Sequence, residues 1–154
     1  MNITLFYPLL SKVRSRVDEN KQYWPPLGLA YIAAVLIKNG HKVQILDRDL
    51  ILRKNNFDFA KSDEIALNLI QEFETQIAGF SATTPNVSDV NYFSRIIMDR
   101  FPNITTVIGG PHYVGEPVST LQMCSGIEML VRGEGEMTML DIANCEPVNT
   151  IGSL

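Results

Sequence analysis

Short apolar runs alternate with longer amphipathic stretches along this chain. Ile3 to Tyr7, His41 to Asp47, Ile77 to Ser81, Ile104 to Ile108 and Ile127 to Val131 are of strand length and bounded by polar or turn-forming residues. The stretches between them predict helices. Pro25 and Pro26 open one that runs to about Asn39, because proline suits a first turn and Gly40 suits the stop. Ser62 reads as the N-cap of a second, with Asp63 and Glu64 in its first turn and an end near Glu74. Asn86 or Ser88 caps a third that reaches about Phe101, with Val90, Phe93, Ile96 and Ile97 on one face. Shorter helices are predicted from Val118 to Met123 and from about Glu136 to Ala143. Pro8 to Trp24 reads as a long loop, and Arg48 to Lys61 has no clear period.

Five apolar strands separated by helices imply βαβ units, hence a doubly wound, five-stranded parallel α/β sheet with helices on both faces. Right-handed crossovers favour the strand order 2-1-3-4-5.

Composition narrows the picture. At 154 residues the chain is one domain, read as residues 1–145, with Glu146 to Leu154 as a linker toward something further. Hydrophobic content of 45% and charged content of 19% are ordinary for a soluble protein. A net charge of −4 argues against a nucleic-acid partner. Cys124 and Cys145 do not form a disulfide framework, so a reducing cytoplasm is expected. The first residues carry no charged n-region of a signal peptide, and no apolar run is long enough to span a bilayer.

Chemistry concentrates in three loops that follow strands: Gly79-Phe80-Ser81-Ala82-Thr83-Thr84-Pro85, Gly109-Gly110-Pro111-His112 and Arg132-Gly133-Glu134-Gly135-Glu136. In an open parallel sheet that edge is where ligands bind. Paired glycines let a backbone approach a bulky ligand, and Ser81, Thr83 and Thr84 carry hydroxyls suited to phosphate or ribose. Each loop alone also reads as turn or capping chemistry, and Glu134 and Glu136 suit a helix start. No G-x-G-x-x-G follows the first strand, no P-loop lysine is present, and Ser81 stands where a receiver domain needs an aspartate. His41, His112 and the cysteines lack metal-ligand spacing, and no catalytic set emerges.

Five segments in order carry a family resemblance: Pro25-Pro26-Leu27-Gly28-Leu29-Ala30-Tyr31-Ile32-Ala33, Gly40-His41-Lys42-Val43 with Leu46-Asp47, and the three loops just named. Together they resemble the N-terminal cobalamin-binding domain of B12-dependent radical S-adenosylmethionine proteins, the methyltransferase-like and anaerobic magnesium-protoporphyrin monomethyl ester cyclase-like group. The resemblance implies a flavodoxin-like α/β/α domain with cobalamin over the C-terminal edge and its nucleotide tail between loops. It implies contacts from Ser81, Thr83, Thr84, Gly109, Gly110, Pro111, His112, Gly133 and Glu134, and metal binding only through the cofactor's own cobalt. Many cobalamin domains carry D-x-H-x-x-G after the first strand. Here that loop has no histidine, and His112 follows strand four with Gly110 in the aspartate position. The resemblance therefore implies base-off binding without a histidine ligand. The chain has no C-x-x-x-C-x-x-C, so a [4Fe–4S] cluster and S-adenosylmethionine would belong to a C-terminal radical domain absent from it. A cofactor-free interaction module and a small nucleotide-binding domain are the alternatives.

The helix from Leu27 to Ile37 is apolar almost all round, which predicts burial on every side. One face suits the sheet. The other calls for a partner domain, a homo-oligomer contact, the corrin surroundings or cover from the Arg48 to Lys61 segment.

Overall fold

A computed structural model describes residues 1–10, 25–111 and 117–145. Its elements are β1 (Asn2–Tyr7), α1 (Leu27–Lys38), β2 (Lys42–Asp47), α2 (Arg48–Lys54), α3 (Phe59–Glu72), β3 (Ile77–Ser81), α4 (Val87–Arg100), β4 (Thr105–Gly109), α5 (Pro117–Met123), β5 (Met129–Leu130) and α6 (Gly135–Ala143). All neighbouring strands are parallel, in the order β2-β1-β3-β4-β5. Crossovers therefore leave in both directions from β1 and β3, which makes a switch point at their C-terminal ends. Most of the Pro8 to Trp24 loop, His112, and the expected linker 146–154 lie outside the described residues.

Period-two alternation divides the core into two. Phe6, Ala78, Phe80 and Ile108 face α3 and α4 in one cluster. Ile3, Leu5, Ile77 and Val107 face α1 and α6 in the other. Gly40 ends α1 as predicted, at φ +87°. Its N–H donates to the Ile37 carbonyl while that of His41 donates to Leu36, the paired bonds of a Schellman stop.

Three local readings are corrected. Ser62 is not a cap: α3 begins earlier, at Phe59, because the Asp58 carboxylate accepts from the Lys61 N–H at 3.0 Å. The Ser62 hydroxyl instead donates back to the Asp58 carbonyl at 2.6 Å. The aperiodic Arg48 to Lys61 segment contains α2, capped by Asp47 accepting from the Leu50 N–H at 2.9 Å. β5 is shorter than its apolar run: only Met129 and Leu130 pair in register with β4, at the sheet's edge.

α1 is not buried all round. Leu29, Ala33 and Leu36 are buried, whereas Leu27, Tyr31 and Ile37 are more than half exposed. The Arg48 to Lys61 segment does not cover it, since α2 packs on α3, β1 and β2. Uniform hydrophobicity removes the contrast that marks which face turns inward.

Candidate functional site

At the C-terminal edge, on the α1 and α6 side of the sheet, lies a cavity of about 390 Å³. That is within the usual range for small-molecule sites. Leu5, Gly79, Val107 and Val131 form its floor, Leu29, Ile32 and Met139 its walls. Glycine at 79 keeps the floor low. A Cβ there would stand 3.0 Å from Leu5 Cδ2 and 3.4 Å from Met139 Cε.

The mouth is made by loops that the sequence marked. Ser81, Gly109, Gly110, Pro111, Gly133 and Glu134 all line the cavity, joined by Gly135 and Glu136. Glu134 is the N-cap of α6 and Glu136 lies in its first turn, where the helix dipole favours a carboxylate. Thr83 and Thr84 are exposed and do not line the cavity. The Thr83 N–H donates to Asn86 Oδ1 at 2.7 Å, so this turn serves to start α4.

The glycines have different roles. Gly110 has φ +118°, and a Cβ there would collide with the Ala82 carbonyl and approach the Ala82 nitrogen at 2.9 Å. Ala82 N–H also donates to the Gly109 carbonyl at 2.8 Å. Gly110 thus joins two loops backbone to backbone, a role hidden in the sequence, where it reads as room for a ligand. At Gly109 a Cβ would make only ordinary contacts with Val131. Open space instead adjoins Gly28 and Gly133, where a Cβ would meet nothing within 4 Å. Gly133 has φ +76°, which favours glycine on backbone grounds. Gly28 lies in the first turn of α1 and has no such need.

Sequence reasoning about loops did not single out Gly28, Leu29 and Ile32. Their signal was the Pro-Pro-Leu-Gly start of an apolar helix whose N-terminus reaches the same edge.

Across the sheet the same edge is closed. Arg48, buried at the start of α2, donates from Nε to Asp89 at 2.9 Å and from Nη2 to Asp63 at 2.8 Å. Its guanidinium lies 3.6 Å from the Phe93 ring centroid. Burial works against its charge, but Asp89 and Asp63 outweigh it and hold the pKa above the ordinary value. Asp89 also accepts the Leu9 N–H at 2.9 Å, which pins the chain as it leaves β1. Tyr92 donates to Asp63 at 2.8 Å. Burial and that carboxylate push its phenol up to about 12.

His41 lies at the opposite edge, bonded through Nδ1 to the Met1 ammonium and through Nε2 to Asn144 Oδ1, both at 3.1 Å. Among the described residues no cluster of metal-ligating side chains occurs, and no helix is long and apolar enough to cross a membrane.

Comparison with known proteins identifies the family and the fold. The chain is 35% identical over 123 residues to an uncharacterized methyltransferase of Pyrococcus horikoshii, covering 78% of this chain and 24% of that protein. It is 33% identical to cytidylyl-2-hydroxyethylphosphonate methyltransferase of Streptomyces wedmorensis, over 75% of this chain and 23% of the relative. It is 29% identical to the anaerobic magnesium-protoporphyrin IX monomethyl ester cyclase of Rubrivivax gelatinosus, over 77% and 20%. The chain thus spans about a quarter or less of these relatives' length. A CheY-like protein (TadZ) from Pseudomonas aeruginosa shares the fold, with a TM-score of 0.60 over 93% of this chain and 91% of that one at 14% identity. The family model described as the B12 binding domain matches residues 13–143, and the chain belongs to that family.

Proposed function

We propose that this domain holds cobalamin base-off at the C-terminal edge, with the nucleotide tail in the cavity between the sheet and helices α1 and α6. The observation that carries the reading is the cavity itself, and Gly28 within it. A glycine inside a helix costs up to about 1 kcal/mol relative to alanine. Among the described residues nothing needs the missing side chain, so the open space points to a ligand. The apolar floor suits an aromatic base. Ser81, with the backbone of Gly109, Gly110 and Gly133, suits ribose and phosphate at the mouth, and Glu134 can accept from sugar hydroxyls. Pro111 shapes the same rim. Thr83 and Thr84, exposed outside the cavity, would act toward the corrin, and His112 is a contact by the family resemblance alone.

Histidine ligation finds no support in the segment after β1, which reads Tyr7-Pro8-Leu9-Leu10 and has no histidine through Trp24. When bound, the corrinoid supplies a cobalt centre for methyl transfer or related radical chemistry. The chain's own part is to bind and orient it. In this reading the chain is the cofactor-binding part of a cytoplasmic enzyme and is inactive alone. Residues 146–154 lead to a radical S-adenosylmethionine domain that carries its own [4Fe–4S] cluster.

The test is retention of hydroxocobalamin. The chain is incubated with it and desalted, and the corrin absorbance is read. Retention near one per chain is expected, falling at least about tenfold in Gly28→Leu with an unchanged far-ultraviolet circular dichroism spectrum. Retention unaffected by Gly28→Leu would remove the tail from this cavity. The cob(II)alamin magnetic resonance spectrum is expected to lack nitrogen superhyperfine splitting from a histidine, in the parent and in His112→Ala alike.

A further inference from the structure

The cavity is sharply divided by polarity. Its deep part is walled by Leu5, Leu29, Ile32, Val107, Val131 and Met139, with no side-chain donor or acceptor. Backbone N–H and carbonyl groups of β1, β3 and β4 are engaged in the sheet ladder there. Among the described residues, the polar side chains on the lining, Ser81, Glu134 and Glu136, come only from the end of β3 and the start of α6. Whatever sits deepest therefore finds no side-chain partner among the described residues.

We infer that this cavity selects among corrinoids by their lower base, admitting an apolar benzimidazole-type base and rejecting a purine. The inference rests on the tail-in-cavity reading above. A dimethylbenzimidazole offers the floor two methyl groups and a single free ring nitrogen. An adenine brings several ring nitrogens and an exocyclic amine. Each polar group buried without a partner loses its bonds to water and gains none, which weakens binding by about tenfold. Glu134 and Glu136 cannot rescue the amine without the base withdrawing toward the mouth, away from the apolar floor.

Equilibrium dialysis of the chain against three corrinoids tests this: hydroxocobalamin, its adenine-bearing analogue, and cobinamide, which has no base. Cobalamin is expected to bind at least about tenfold more tightly than the adenine analogue, and more tightly than cobinamide. Val107→Thr and Val131→Thr each place a hydroxyl on the floor without changing its shape, and are expected to narrow the ratio between the two bases. Reading both ligands on one variant keeps the ratio independent of any loss of stability. Equal affinity for the two bases, with both tighter than cobinamide, overturns the selection but leaves the tail in the cavity. A ratio that neither threonine variant changes assigns the discrimination elsewhere and also overturns it. Cobinamide binding as tightly as both removes the tail from the cavity, and retention of no corrinoid overturns the cobalamin reading itself.

Discussion

The two sides of the sheet meet the same edge in opposite ways. On the α3 and α4 side, Phe6 stacks on Phe80 at 4.9 Å and meets Phe93 edge-on at 5.6 Å. Arg48, Asp89 and Asp63 seal the layer above them. On the α1 and α6 side the equivalent positions are Leu5, Gly79 and Val107, and about 390 Å³ is left unfilled. A protein interior normally packs without such gaps. One sheet thus divides its work: one face supplies rigidity and the other supplies room.

If that division holds, substitutions on the two faces should fail differently. The largest effect is expected at Asp89. Asp89→Ala strips buried Arg48 of its bidentate partner and Leu9 of its acceptor, and should lower unfolding free energy by about 3 kcal/mol. Urea denaturation measures it. A loss below about 1 kcal/mol, typical of a surface pair, would mean that this side is not the rigid one.

Gly110→Ala comes next. The new Cβ meets the Ala82 backbone at a φ that disfavours side chains, so about 1–3 kcal/mol of stability should be lost before any ligand is considered. An unchanged unfolding midpoint would show that the two loops can separate freely.

Gly28→Ala should behave in the contrary sense. Its Cβ enters open space within a helix, so stability should stay level or rise by up to about 1 kcal/mol while corrinoid retention falls. Loss of stability and retention together would place Gly28 with the structural glycines and blur the contrast.

The smallest effect concerns alkaline pH. The Tyr92 phenol has a folded pKa of about 12, above its unfolded value of 10.0. Its contribution is complete below pH 10 and is lost as pH rises from there through 12, because the unfolded chain gives up the proton first. Tyr92→Phe should flatten this limb of the stability profile, and an unaltered limb would assign the alkaline loss to other groups.

The strand order was legible because five apolar runs with helices between them leave few parallel topologies. The ligand edge was legible because small and polar residues follow three of those runs. Side-chain competition was not legible. Asp58 outranks Ser62 as a cap because its carboxylate reaches the Lys61 N–H, and both residues are acceptable caps in isolation. The role of Gly110 depends on Ala82, far away in sequence, and no local pattern reports such a contact. The deep cavity residues Leu5, Val107 and Met139 look like any core residues. What distinguishes them is a neighbour that is missing.

The brevity of β5 bears on how copies of the chain can meet. A sheet edge recruits another strand through its open row of N–H and carbonyl groups. Here the outermost strand offers only Met129 and Leu130, too few to template an added strand from another molecule. Sheet-to-sheet aggregation at this border is disfavoured. Association of this domain is left to the opposite border, where β2 offers six residues, and to side-chain surfaces such as the exposed Leu27, Tyr31 and Ile37 of α1.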